Sequence, residues 1–325
     1  MEAIRCEGLA KSYGRTVAVD GLDLSVAPSQ VYGFLGPNGS GKTTTMRMLL
    51  GLVRPTTGRA WLNGRPLPDP DGLARIGAMI EEPAFHPWMT GRRSLEALAL
   101  YGPPLPHRDA VAAALDRVGL TPVAGRKVKT YSQGMRQRLG LALALLREPA
   151  VVLLDEPMNG MDPAAIREFR TTVRSLAAGG TTVFLSSHQM TEVEQVCDRV
   201  AVVKSGRVIA EGTPDDLTTA VVRIVLAPAE KDRARALLAG RFAVRTEGRG
   251  TLVVEGGDGR AVNATLGRGG VWAHQIRAER SGLEAAFLDL TGDADGSTGA
   301  AAGGHTAEVH ASPAAGGTDD APSPR

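Results

Sequence analysis

The stretch Gln30-Val31-Tyr32-Gly33-Phe34-Leu35-Gly36-Pro37-Asn38-Gly39-Ser40-Gly41-Lys42-Thr43-Thr44-Thr45-Met46-Arg47-Met48-Leu49-Leu50 decides the fold. An apolar run at 30–35 leads into a glycine-rich turn, and an amphipathic pattern follows. Gly36 to Thr43 satisfies G-x-x-x-x-G-K-[ST] in the strand–loop–helix setting that gives the pattern its meaning. The glycines let the backbone curl so that several N–H groups point at one anion, and the helix adds its positive N-terminal end. Lys42 supplies a point charge for β- and γ-phosphates, and the Thr43 hydroxyl can ligate Mg²⁺. Gly36, Pro37, Asn38, Gly39, Ser40, Gly41 and Thr44 complete the candidate phosphate cradle. A glycine-rich turn with a chance lysine would not explain the strand and helix on either side. The spacing is not G-x-G-x-x-G, so a dinucleotide fingerprint is excluded.

A second stretch points to the same chemistry. Val151-Val152-Leu153-Leu154 is continuously apolar, the pattern of a parallel strand buried on both faces, and it ends in Asp155-Glu156-Pro157. Ligands of open parallel sheets sit beyond the carboxyl ends of the strands. Both motifs therefore reach one phosphate, with Asp155 toward Mg²⁺ and Glu156 placed to polarise an attacking water. A solvated Asp-Glu turn is the plain alternative, and it loses force beside the phosphate loop.

Around these motifs lies a chain of 325 residues, 43% hydrophobic, 22% charged and 4% aromatic, with a formal net charge of +2. That suffices for one large domain or two ordinary ones and excludes a globally disordered or collagenous chain. Two cysteines, Cys6 and Cys197, cannot make a disulfide framework and suit a reducing compartment. The longest apolar candidate, 139–146, falls short of the roughly 20 residues needed to span a bilayer. Residues 1–5 lack the basic start and apolar stretch of a signal peptide. The body before Thr291 is mildly basic, which is weak evidence for an anionic partner.

The strand patterns at 16–26, 30–35, 151–154, 181–185 and 200–204 alternate with helical ones, which predicts an α/β domain over residues 1–217. Strands at 221–226, 242–245, 251–255 and 271–276, with helices at 231–239 and 260–266, predict a small α+β accessory domain over 218–290. From Thr291 to Arg325 the chain is mostly Gly, Ala, Ser, Thr and Pro with a few acids, and Val309 is its one large aliphatic residue. It reads as a disordered tail.

Taken in order, these residues resemble the ATP-binding cassette (ABC) ATPases over about residues 2–217. Tyr131-Ser132-Gln133-Gly134-Met135-Arg136-Gln137-Arg138 is similar to the family signature, usually LSGGQ; Ser132 and Gly134 match, while Tyr131, Gln133 and Met135 depart toward a form familiar in drug- and polymer-export branches. Asn159-Gly160-Met161-Asp162-Pro163 looks like the D-loop, in which Asp162 helps couple two sites. Ser186-Ser187-His188 looks like the switch-histidine motif, which implies that His188 contacts the γ-phosphate. Lys11-Ser12-Tyr13-Gly14 resembles the cassette start, where Tyr13 would stack on adenine. The Q-loop glutamine aligns with Glu81, so the resemblance implies a metal-approaching role for a carboxylate that adds negative charge beside phosphates. Thr90 is placed to cap a helix around 94–100 in the segment that faces the membrane partner in this family.

The resemblance implies a P-loop NTPase cassette: a mostly parallel sheet core, an antiparallel β subdomain and a helical subdomain, followed by the small α+β domain. It implies ATP and Mg²⁺ as ligands, with Lys42, Glu156 and His188 catalytic. It also implies an exporter-like role at the cytoplasmic face of the bacterial cell membrane, peripherally bound to an ABC-2-like permease subunit. A second copy or a homologous cassette would close the ATP sites, and no nucleic acid is expected. A soluble ABC ATPase acting on ribosomes or DNA is the alternative; one phosphate loop and no sustained heptad run speak against it. A P-loop kinase leaves the signature and His188 unexplained.

Overall fold

The computed structural model describes residues 1–101 and 107–280, with residues 282, 283 and 287. The expected tail at 291–325 lies outside the described residues, as does most of the stretch expected to end the accessory domain.

The chain opens with β1 (Ile4–Tyr13) and β2 (Thr16–Val26), then enters β3 (Val31–Leu35) and α1 (Lys42–Leu49). Next come β4 (Thr57–Leu62), β5 (Arg65–Pro66), α2 (Pro70–Leu73) and β6 (Ile76–Met79). Three helices follow, α3 (Gly91–Ala99), α4 (Ala110–Arg117) and α5 (Gln133–Leu145). The chain then alternates: β7 (Val151–Leu154), α6 (Pro163–Ala178), β8 (Thr182–Ser187), α7 (Met190–Glu194), β9 (Arg199–Lys204), β10 (Arg207–Gly212) and α8 (Pro214–Leu217). It continues with β11 (Ala220–Val225), α9 (Lys231–Ala239), β12 (Ala243–Glu247), β13 (Thr251–Glu255), α10 (Gly259–Arg268) and β14 (Gln275–Arg280).

Three sheets result. The central one has the order β10-β9-β3-β8-β7-β6, parallel except for the β9–β10 hairpin. Its middle strands are buried on both faces and send alternate side chains into two cores. Val31, Leu35, Val152, Leu154, Val183 and Leu185 join the helices on one side. Tyr32, Phe34, Val151, Leu153 and Phe184 join α1 and the antiparallel sheet β2-β1-β4-β5 on the other. Phe184 packs between Tyr32 and Phe34, with ring centroids 5.7 and 5.3 Å away. The uninterrupted apolar runs are thus explained by the two covered faces.

Parallel register brings the carboxyl ends of the strands to one edge: Leu35 pairs with Ser187, Leu154 with Leu185 and Met79 with Leu154. The phosphate loop, Glu81, the Asp155–Glu156 pair and His188 each follow one of those ends. Thr90 caps α3 by accepting from the Arg93 amide, as expected.

The third sheet, β12-β13-β11-β14, is antiparallel throughout, and its β-α-β-β-α-β order makes a ferredoxin-like plait. The expectation of a strand at 271–276 needs correction. Val271 lies just beyond α10 and is buried with Leu238, Val262 and Leu266, and the strand runs Gln275–Arg280. Its outward residues are charged, so the apolar signal marks the core plug before the strand and not the strand itself.

Candidate active site

The loop after β3 can close only because its residues are small. A Cβ on Gly36 would lie 2.3 Å from the Val203 carbonyl oxygen, and one on Gly41, at φ 101°, would lie 2.4 Å from that of Ala18. The Ser40 hydroxyl oxygen is buried without a hydrogen-bond partner. An orphaned polar atom in a glycine-rich loop at a helix N-terminus is a group that an anion satisfies.

Lys42 is only 6% exposed. Its ammonium donates to the carbonyls of Gly36 (2.8 Å) and Pro37 (3.1 Å) and pairs with Glu156 Oε1 at 3.4 Å. One residue on, Thr43 Oγ1 donates to Asp155 Oδ2 at 2.6 Å. Two of the three predicted Mg²⁺ ligands are therefore in contact. Among the described residues no three His, Cys, Asp or Glu side chains cluster as a metal cage. One hydroxyl and one carboxylate suit a hard cation that takes its remaining ligands from phosphate and water.

Asp155 is held from the other side by Ser186 Oγ, which donates to Oδ1 and accepts from the Glu156 amide at 2.9 Å. Ser186 is fully buried. Glu156 adopts φ 47°, the left-handed region that a side chain seldom occupies. The Ser186 bond helps hold it there. Glu156 Oε2 reaches His188 Nδ1 at 2.8 Å. Lys42, Thr43, Asp155, Glu156, Ser186 and His188 thus form one connected cluster at the carboxyl ends of β3, β7 and β8. Sequence reading missed the bridging part of Ser186; its signal was a serine at the end of a buried strand, beside the strand carrying the acidic pair.

The other expected residues lie in different surroundings. Tyr13 ends β1, is 48% exposed, and has the Lys11 ammonium 5.0 Å from its ring centroid. Ser132 caps α5 by accepting from the Met135 amide, and Asp162 caps α6 by accepting from the amides of Ala164 and Ala165. These helix starts touch, since a Cβ on Gly134 would stand 2.6 Å from Ala165 Cβ. Among the described residues, no hydrogen bond or ion pair joins Ser132, Gly134 or Asp162 to the Lys42–His188 cluster. Glu81, the third expected metal ligand, lies apart from Thr43 and Asp155 in its contacts: its side chain is 64% exposed, its backbone has φ 68°, and its carboxylate is bonded to Arg47 of α1.

With this geometry in hand, the comparisons are decisive. The family model described as ABC transporter matches residues 19–159. Over 318 residues the chain is 38% identical to the daunorubicin resistance ATP-binding protein DrrA3 of Streptomyces coeruleorubidus, covering 90% of this chain and 96% of that one. The chain belongs to the ABC transporter family. It is also 41% identical over 212 residues to the bacitracin transport ATP-binding protein BcrA of Bacillus licheniformis, covering 64% of this chain and 69% of that one. Among solved structures, a nucleotide-free ATP-binding cassette from an ABC transporter is 27% identical with a TM-score of 0.59, covering 66% of this chain and 92% of that one. This ABC protein binds and hydrolyses ATP. Among its described residues no helix is long and apolar enough to cross a membrane.

Proposed function

We propose that this ABC subunit drives an exporter of drug-like compounds by hydrolysing ATP at the Lys42–His188 cluster. The observation that carries the reading is that cluster itself: one ammonium, one hydroxyl–carboxylate pair and one carboxylate–imidazole pair at a single sheet edge. The resistance and transport roles in the relatives' names support export and favour it over the soluble alternative.

When ATP enters, its phosphates take the loop amides and the Ser40 hydroxyl, and Lys42 exchanges its carbonyl partners and Glu156 for phosphate oxygens. Thr43 and Asp155 would hold Mg²⁺, which when bound neutralises phosphate charge. Glu156, released from Lys42, accepts a proton from water as that water attacks the γ-phosphorus and the bond to the ADP oxygen breaks. His188 faces the γ-phosphate, and Tyr13 offers its ring to adenine. Ser132, Gly134 and Asp162 act across an interface, with the α5 N-terminus of a second copy, or of a homologous cassette, closing on the phosphates. Their separation from the cluster within one chain supports that assignment. We read residues 1–217 as the cassette and 218–290 as the accessory domain; the plait itself closes with β14, and Leu283 beyond it is buried in the cassette core.

The partner is an ABC-2-like permease subunit, and the protein attaches peripherally to the cytoplasmic membrane face through it. Trp88, 66% exposed and stacked on His86 at 4.8 Å, offers a docking point beside the helical segment. The test is a pair of variants. Lys42→Ala should lose ATP binding, whereas Glu156→Gln should keep ATP bound and lose turnover by about 10²–10⁴-fold. Wild-type turnover in either variant would contradict the assignment.

A further inference from the structure

His188 stands beside a carboxylate that has other work to do. Its Nδ1 lies 2.8 Å from Glu156 Oε2, so Glu156 cannot serve a water through that oxygen until the imidazole lets go. When the ring turns to a phosphate, one nitrogen faces the anion. The other nitrogen then needs an acceptor to fix the ring and its tautomer.

Glu192, on whose carboxyl His188 acts electrostatically, is a candidate. Glu192, four residues beyond His188 in α7, has its Oε2 buried with no hydrogen-bond partner. Buried carboxylate oxygens are costly when unpaired, and such orphans concentrate where a partner arrives later. Burial pushes the Glu192 carboxyl up, and Glu156 adds to this, while Arg170 of α6 and His188 pull it down. Of the neighbouring charges, Arg170 bonds Gln195, and Glu194 of the same helix accepts from the Leu283 amide.

We propose that Glu192 is a positioning residue for His188, whose orphaned Oε2 accepts the imidazole N–H when His188 leaves Glu156 for the γ-phosphate. This rests on the reading of His188 given above. No covalent bond changes; one hydrogen bond is exchanged for another, and Glu156 is freed for the water.

The test uses the full chain labelled at histidine, with His188 assigned by loss of its signal in His188→Gln. The imidazole is titrated by NMR with and without a non-hydrolysable ATP analogue. With the analogue, Glu192→Gln should lower the His188 pKa by about one unit relative to wild type. It should also lower kcat roughly tenfold, with KM for ATP held within about twofold. Glu192→Asp, which keeps the charge, should recover much of the His188 titration. An unchanged titration in Glu192→Gln overturns the proposal, whether or not kcat falls, because a packing defect alone would leave His188 untouched. Full ATPase activity in His188→Gln would instead defeat the underlying reading of His188, a separate outcome in the same experiment.

Discussion

Replacing Ser186 by alanine removes two bonds from the middle of the site. Its hydroxyl donates to the Asp155 carboxylate and accepts from the amide of Glu156, and the residue is fully buried. A bond to an ionised carboxylate contributes about 1.5–3 kcal/mol and one to an amide about 0.5–1.5 kcal/mol. Alanine leaves both groups without this partner, so the loss is about 2–4 kcal/mol. For a domain of this size each kcal/mol shifts Tm by roughly 2–4 °C, which predicts a fall of about 5–15 °C in a thermal melt. The same change frees Glu156 from the bond that helps hold φ at 47°, so turnover should fall with ATP binding largely kept. Steady-state ATPase assays beside nucleotide titrations measure that split. A Ser186→Ala protein that melts within about 1 °C of wild type and turns over normally would refute the bridging role.

The remaining predictions are simpler to test. Cys6 and Cys197 are buried, and burial, then Asp23, pushes the Cys6 thiol up to about 12. A thiol-reactive dye at pH 8 should therefore label neither in the folded protein and both after denaturation. Because the folded pKa of Cys6 is raised, its contribution to stability is intact below pH ~9 and lost as the pH rises toward ~12; melts should fall across that window, and a Cys6→Ala melt that falls equally would reject Cys6 as a source. Glu81→Gln should change stability by less than about 1 kcal/mol, as expected for an exposed ion pair. It should also leave Mn²⁺ affinity in the presence of nucleotide within about twofold, whereas a tenfold loss would return Glu81 to the metal.

Much of the fold could be read from the chain because its central strands are unusual. Val151–Leu154 is apolar at every position, which only a doubly covered strand explains, and the phosphate loop carries strand, turn and helix in one stretch. Contacts between side chains distant in sequence were harder to read. Nothing in the sequence ties Ser186 to Asp155, because parallel register, not chain proximity, brings them together. The Arg47–Glu81 pair was illegible for a related reason: alignment gave the position of Glu81, but its contact depends on where α1 places that guanidinium. In the plait, β14 hid behind its charges, since one face of an edge strand carries little apolar signal. Ser132 and Asp162 were legible as motif residues, yet their observed bonds are helix caps, and their proposed work requires a second chain.

That composite site is the central claim, and light scattering after size exclusion tests it most directly. Glu156→Gln with ATP and Mg²⁺, assayed with the permease present as well as alone, should run as a nucleotide-dependent dimer. Adding Ser132→Arg should return it to monomer on the isolated subunit while each phosphate loop still binds ATP. A Glu156→Gln protein that dimerises equally without ATP, or whose ATP-induced dimer survives Ser132→Arg, would contradict the account.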